Sequence, residues 1–106
     1  MTYEHAIAAL ADPSRRRIIE VLRQGPRAVA QIADGLPISR PAVSQHLKVL
    51  SDAGLLSVTV QGNSRHYQLQ PAGFADLRAY LDTLWDDALA AFERAAHEKA
   101  KGDSAP

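Results

Sequence analysis

The chain has 106 residues, 46% of them hydrophobic, which allows one compact core and is too short for two domains. It has no cysteine, no apolar run near the ~18 residues of a membrane span, and a start (Met1-Thr2-Tyr3-Glu4-His5) unlike a signal peptide. Disulfides, thiolate metal sites and a membrane partner are therefore not expected, and the expected location is the cytoplasm. Formal net charge is zero, yet Ser14 to Tyr67 holds eight Lys/Arg against three acids, so that stretch carries +5 and the two ends together −5. Where positive charge sits matters more than its sum, so a nucleic-acid partner is not excluded.

Tyr3 to Ala11 reads as a short helix with Ile7 and Leu10 on one side. Asp12-Pro13-Ser14 restarts a helix: Asp12 can cap it, and Pro13 fits the first helical position, where no N–H is needed. Ile18, Ile19 and Leu22 form its apolar side, and Gly25-Pro26 stops it. Val29 to Asp34 is a third, short helix without a good N-cap. After the break at Gly35-Leu36-Pro37-Ile38, Ser39 caps a fourth helix that runs to about Ala53, with Ile38 and Val43 as a hydrophobic staple. Leu55 to Val60 and Arg65 to Leu69 alternate around the turn Gln61-Gly62-Asn63-Ser64 and read as a β-hairpin. Pro71 opens a long helix, about 72–99, and residues 101–106 read as a disordered tail.

The expected fold is mainly α (α+β), in the order α-α-α-α-β-β-α. It is a single winged helix-turn-helix domain over residues 1–100 that dimerises through its terminal helices.

At about 100° per residue, Val43, Leu47 and Leu50 cluster on one side of the fourth helix. Arg40, Pro41, Ser44, Gln45, Lys48 and Ser51 fall on the other, with no carboxylate until Asp52. Arg can read guanine, Gln adenine, and Ser either base, so this face suits a major groove. A solvated face usually mixes both charge signs, and this one does not. Asn63, Ser64 and Arg65 form a small polar wing tip suited to phosphate or the minor groove. Arg15, Arg16 and Arg17 crowd positive charge at a helix start, where the dipole disfavours it; a phosphate near Arg16 would offset that cost. His46 falls on the apolar side and reads as half-buried, bonded to a backbone carbonyl or a phosphate.

Three stretches resemble the ArsR family of winged-helix repressors. They are Ala11-Asp12-Pro13-Ser14-Arg15-Arg16, then Ser39 to Leu50 followed by Ala53-Gly54-Leu55-Leu56, then Gly62 to Leu69. The resemblance spans nearly all of residues 3–95. It implies a homodimer on a palindromic DNA operator, and a repressor released by some signal, such as a small-molecule effector. Many family members sense metal through cysteines near the third helix, and Ala28 to Ala33 has none. A second family site uses carboxylates and histidines of the last helix. Asp82, Asp86, Glu93 and His97 would be its candidates, but they lie together opposite the apolar stripe, which reads as a solvated acidic face. Neither metal nor cofactor is expected.

That apolar stripe includes Leu77, Leu81, Leu84 and Ala88, broadened by Trp85 and Phe92. It is too wide for so small a domain to cover, so these residues and Ile7 are the expected dimer interface. No nucleophile elbow, phosphate loop or His-Glu-x-x-His motif is present, and the four histidines are scattered, so no enzyme activity is expected. The alternatives are a protein-binding winged helix, which would need apolar anchors on the fourth helix, and a metal-responsive repressor using the last helix.

Overall fold

A computed structural model describes residues 3–103. The order is α1 (Tyr3–Leu10), α2 (Pro13–Leu22), β1 (Arg27–Ala28), α3 (Val29–Asp34), α4 (Arg40–Asp52), β2 (Leu56–Gln61), β3 (Ser64–Leu69) and α5 (Pro71–Asp103). The winged helix-turn-helix plan holds, with one addition. β1 pairs antiparallel with β3, Arg27 opposite Tyr67 and Ala28 opposite His66, so the sheet has three strands in the order β1-β3-β2. α5 continues through residues 101–103 of the expected tail; residues 104–106 lie outside the described residues.

Helix starts follow their caps. Asp12 Oδ1 accepts from the N–H groups of Ser14 at 2.8 Å and Arg15 at 3.2 Å. These bonds, the Arg15 one foremost, hold the Asp12 carboxyl below its ordinary pKa, and burial opposes them. Ser39 Oγ accepts from Ala42 N at 3.3 Å. α3 has only half of a capping box: Ala28 offers no side-chain acceptor, but its own N–H donates to Gln31 Oε1 at 2.9 Å.

The end of α4 sets the position of the hairpin. Leu55 N donates to Leu50 O, and Gly54 N to Ser51 O, each at 3.0 Å, with Gly54 at φ +81°. This is a Schellman motif, and its left-handed position strongly favours glycine. Leu55, just beyond, is fully buried. The hairpin closes through Gly62-Asn63 with Gly62 at φ +61°, the arrangement of a type II′ turn.

The core joins all the helices to the base of the sheet. Ile18, Ile32, Val43, Leu47, Leu50 and Leu55 are fully buried, each contributing roughly 1.5–3 kcal/mol of burial. In α1 the buried residues are Ala6 and Ala9, while Ile7, an expected interface residue, is 43% exposed. Small residues let α1 lie close to its neighbours, and Tyr3 stacks on Tyr80 of α5 with ring centroids 4.0 Å apart.

α5 is anchored only at its base. Phe74 and Leu77 pack against the core, and Gly73 is buried against the Gly54 carbonyl, where a Cβ would overlap it. Leu77, an expected interface residue, thus already has cover within the chain. From Leu81 to Lys101 every residue except Ala90 is exposed, including Leu81, Leu84, Ala88, Trp85 (65%) and Phe92 (71%).

Candidate nucleic-acid interface

The side chains of α4 separate as the helical spacing dictates. Val43, Leu47 and Leu50 are buried, and Ser39, Arg40, Pro41, Ser44, Gln45 and Lys48 are exposed. Ser51 departs from the expected exposed face: its Oγ is buried, with no hydrogen-bond partner among the described residues. Ser51 lines the cleft between α4 and the wing.

Strand register places the wing relative to that helix. Val58 lies opposite Tyr67, and Val60 opposite Arg65, so Arg65 and Tyr67 share one sheet face. That face looks onto α4 across a cleft of about 320 Å³, lined by Ser44, Lys48, Ser51, Asp52, Arg65 and Tyr67 among others. Of the residues singled out in the sequence, Ser44, Lys48 and Arg65 are therefore brought together. Arg40, Pro41 and Gln45 lie on the exposed face of α4 outside the cleft, and Asn63 and Ser64 sit at the exposed wing tip. Tyr67 was missed; its place one alternation after Arg65 was the available signal.

Charge on this surface is nearly all positive. Among the described residues, Arg40 and Arg65 form no ion pair. Lys48 Nζ lies 3.1 Å from Asp52 Oδ2, one helical turn on. Such a surface can hold phosphates and present donors to base edges; Val49 of α4 and Val60 of the wing are exposed beside it.

The arginines that open α2 behave otherwise than expected. Arg15 Nε donates to the Ala9 carbonyl at 2.6 Å, and Arg16 Nη1 donates to the carbonyls of Leu10 at 2.8 Å and Ala11 at 3.0 Å. The guanidinium groups complete the C-terminus of α1, whose last turn has no basic residue of its own. The crowded charge is thus offset inside the chain, although Arg16 remains exposed. His46 is half-buried as expected, but its Nδ1 faces Arg15 Nη1 at 3.5 Å and not a backbone carbonyl.

On α5, Asp86 and Glu93 are seven residues apart, about 10 Å along the axis. Among the described residues no three His, Asp or Glu side chains converge as a metal site. Glu93 and His97 share a shallow groove with Arg94, whose own cation faces the same space.

Comparison with known proteins agrees with this geometry. A helix-turn-helix domain family matches residues 10–59. An HTH-type transcriptional regulator of Mycobacterium tuberculosis is 52% identical over 89 residues, covering 84% of this chain and 83% of its own. An ArsR-like transcriptional regulator from Rhodococcus superposes with a TM-score of 0.75 at 29% identity, covering 89% of this chain and 92% of its own. The homodimeric winged helix-turn-helix DNA-binding domain of a Mycobacterium bovis protein gives a TM-score of 0.64 at 28% identity, over 79% of this chain and 78% of its own.

Proposed function

The chain belongs to the ArsR family of winged helix-turn-helix transcriptional regulators, and from that membership we propose that it represses transcription as a homodimer bound to a palindromic DNA operator. The observation that carries the reading is the exposed face of α4, which combines Arg40, Ser44, Gln45 and Lys48. Arg40, Ser44 and Gln45 read base edges, and Ser39 and Pro41 bring the start of the helix to the groove. Lys48 and Arg65 hold phosphate, Asn63 and Ser64 carry the wing along the backbone, and Arg16 adds a contact at the α1–α2 corner.

Two copies pair through α1 and α5, burying Ile7, Leu81, Leu84, Trp85, Ala88 and Phe92. A twofold axis there would set the two α4 helices about one DNA turn apart, ~34 Å. Release of the operator then follows from a small-molecule effector that this family plan leaves room for. A protein-binding winged helix is disfavoured by the cations and hydroxyl groups that line the cleft between α4 and the wing.

The direct test is fluorescence anisotropy of the dimer on DNA from its own upstream region, beside a scrambled duplex, across a salt series. Preference for the native fragment by ~10³ or more, with a steep salt slope, is the expected result. Equal, weak binding to both duplexes would reject specific recognition of that region.

A further inference from the structure

Asp52 breaks a local rule. It occupies the last turn of α4, where the helix dipole disfavours negative charge, and that turn carries no basic residue to offset it. It caps nothing: Ala53 and Gly54 close the helix through backbone bonds. Its one hydrogen-bonded partner among the described residues is Lys48, at 3.1 Å. Both side chains are largely exposed (77% for Lys48 and 67% for Asp52), so the pair contributes little to folding. A residue that costs helix stability and returns little points to function.

Its surroundings say which function. Asp52 lies in the α4–wing cleft, where it is the sole acidic lining residue opposite two cations, Lys48 and Arg65. Hydroxyl-bearing Ser44 and Tyr67 line the same cleft. An oxyanion placed among those groups would take up the positions of a phosphate oxygen, and a carboxylate already holds Lys48 there.

We infer that Asp52 is an intrachain stand-in for a DNA phosphate: it holds Lys48 in the free protein and competes with the DNA backbone for it. The inference rests on the DNA-binding reading above. Backbone phosphate must draw Lys48 away and then face the carboxylate left behind. Asp52 therefore lowers affinity for any duplex, whatever its sequence, and keeps the protein from being held on random DNA. Because phosphate contact carries no sequence information, native and scrambled DNA are weakened alike.

The test is a double-mutant cycle on the full-length dimer, read by anisotropy on native upstream and scrambled duplexes across a salt series. The variants are Asp52→Asn, Lys48→Met and the double substitution; thermal melts establish that each is folded. Asp52→Asn is expected to bind both duplexes ~3- to 10-fold more tightly at low salt, with a slope steeper by ~0.9. In the Lys48→Met background that gain should largely disappear. Wild-type binding that Asp52→Asn does not tighten would overturn the inference and leave the DNA reading intact. So would a gain unchanged by Lys48→Met, since Asp52 would then act only as a distant negative charge. Failure of every variant to bind either duplex would overturn both.

Discussion

The Arg15 guanidinium of α2 faces the His46 imidazole of α4 at 3.5 Å, and the same guanidinium donates to the Ala9 carbonyl of α1 at 2.6 Å. One side chain thus joins three helices. Arg15→Met should lower stability by roughly 1–3 kcal/mol in urea unfolding, because it leaves helix-end carbonyls without their donor. Arg17→Met, at an exposed position with no ion pair among the described residues, should change it by less than ~0.5 kcal/mol. Equal effects would mean that the Arg15 contacts do not hold α1 in place.

Gln45 is exposed on α4 and lies outside the wing cleft. Gln45→Ala should cost ~1–3 kcal/mol on the operator and less on random DNA, as competition anisotropy can measure. Arg65→Ala should weaken both duplexes alike and flatten the salt dependence by ~0.9. The two variants separate reading of sequence from holding of backbone.

A Cβ at Gly73 would overlap the Gly54 carbonyl oxygen, and both atoms belong to backbone that cannot step aside cheaply. Gly73→Ala should destabilise the protein by roughly 1–3 kcal/mol. Gly35→Ala, whose added carbon would meet only ordinary contact with the Ile32 carbonyl, should be much milder. Thermal melts of the two variants make the comparison.

Trp85 and Phe92 leave 65% and 71% of their surface exposed on α5. Charged replacements, Trp85→Glu with Phe92→Glu, should shift sedimentation velocity from dimer toward monomer. Operator affinity should fall with it, since two half-sites are then no longer held by one particle. A dimer that survives the double substitution would place the interface elsewhere.

Asp12 gives a pH signature. Its carboxyl titrates below the ordinary value because the N–H groups of Arg15 and Ser14 favour the charged form. The stability it contributes is therefore complete above the unfolded value, ~3.9, and is lost as pH falls through the lower folded value. Asp12→Asn keeps a capping oxygen but cannot titrate. Thermal melts between about pH 2 and 6 should show the wild type losing more stability on acidification than this variant.

Much of the fold was legible in the sequence because its signals are local. Asp12-Pro13 and Ser39 mark helix starts, Gly54 a helix end, and Gly62-Asn63 a hairpin, each within a few residues of the backbone it controls. β1 was not legible, since Arg27-Ala28 is too short to alternate and becomes a strand only by pairing with residues 66 and 67. The burial of α1 through Ala6 and Ala9 likewise depends on how closely other helices approach. At the candidate site, the exposed face of α4 followed from helical spacing alone. The Lys48–Asp52 pair was also within reach as an i,i+4 spacing, whereas the cleft formed with Arg65 and Tyr67 needed the hairpin folded against α4. The roles of Arg15 and Arg16 were concealed for the same reason: their acceptors belong to the preceding helix.

α5 runs for 33 residues, about 50 Å, and most of it lies beyond the reach of its own core. On the proposed pairing, its outer half is covered when two chains meet, and mass action then governs that part of the structure. The unfolding temperature should therefore rise with protein concentration. When the chain is scarce, separate subunits have fewer chances to meet, and operator occupancy should climb more steeply than in proportion to the amount of protein made.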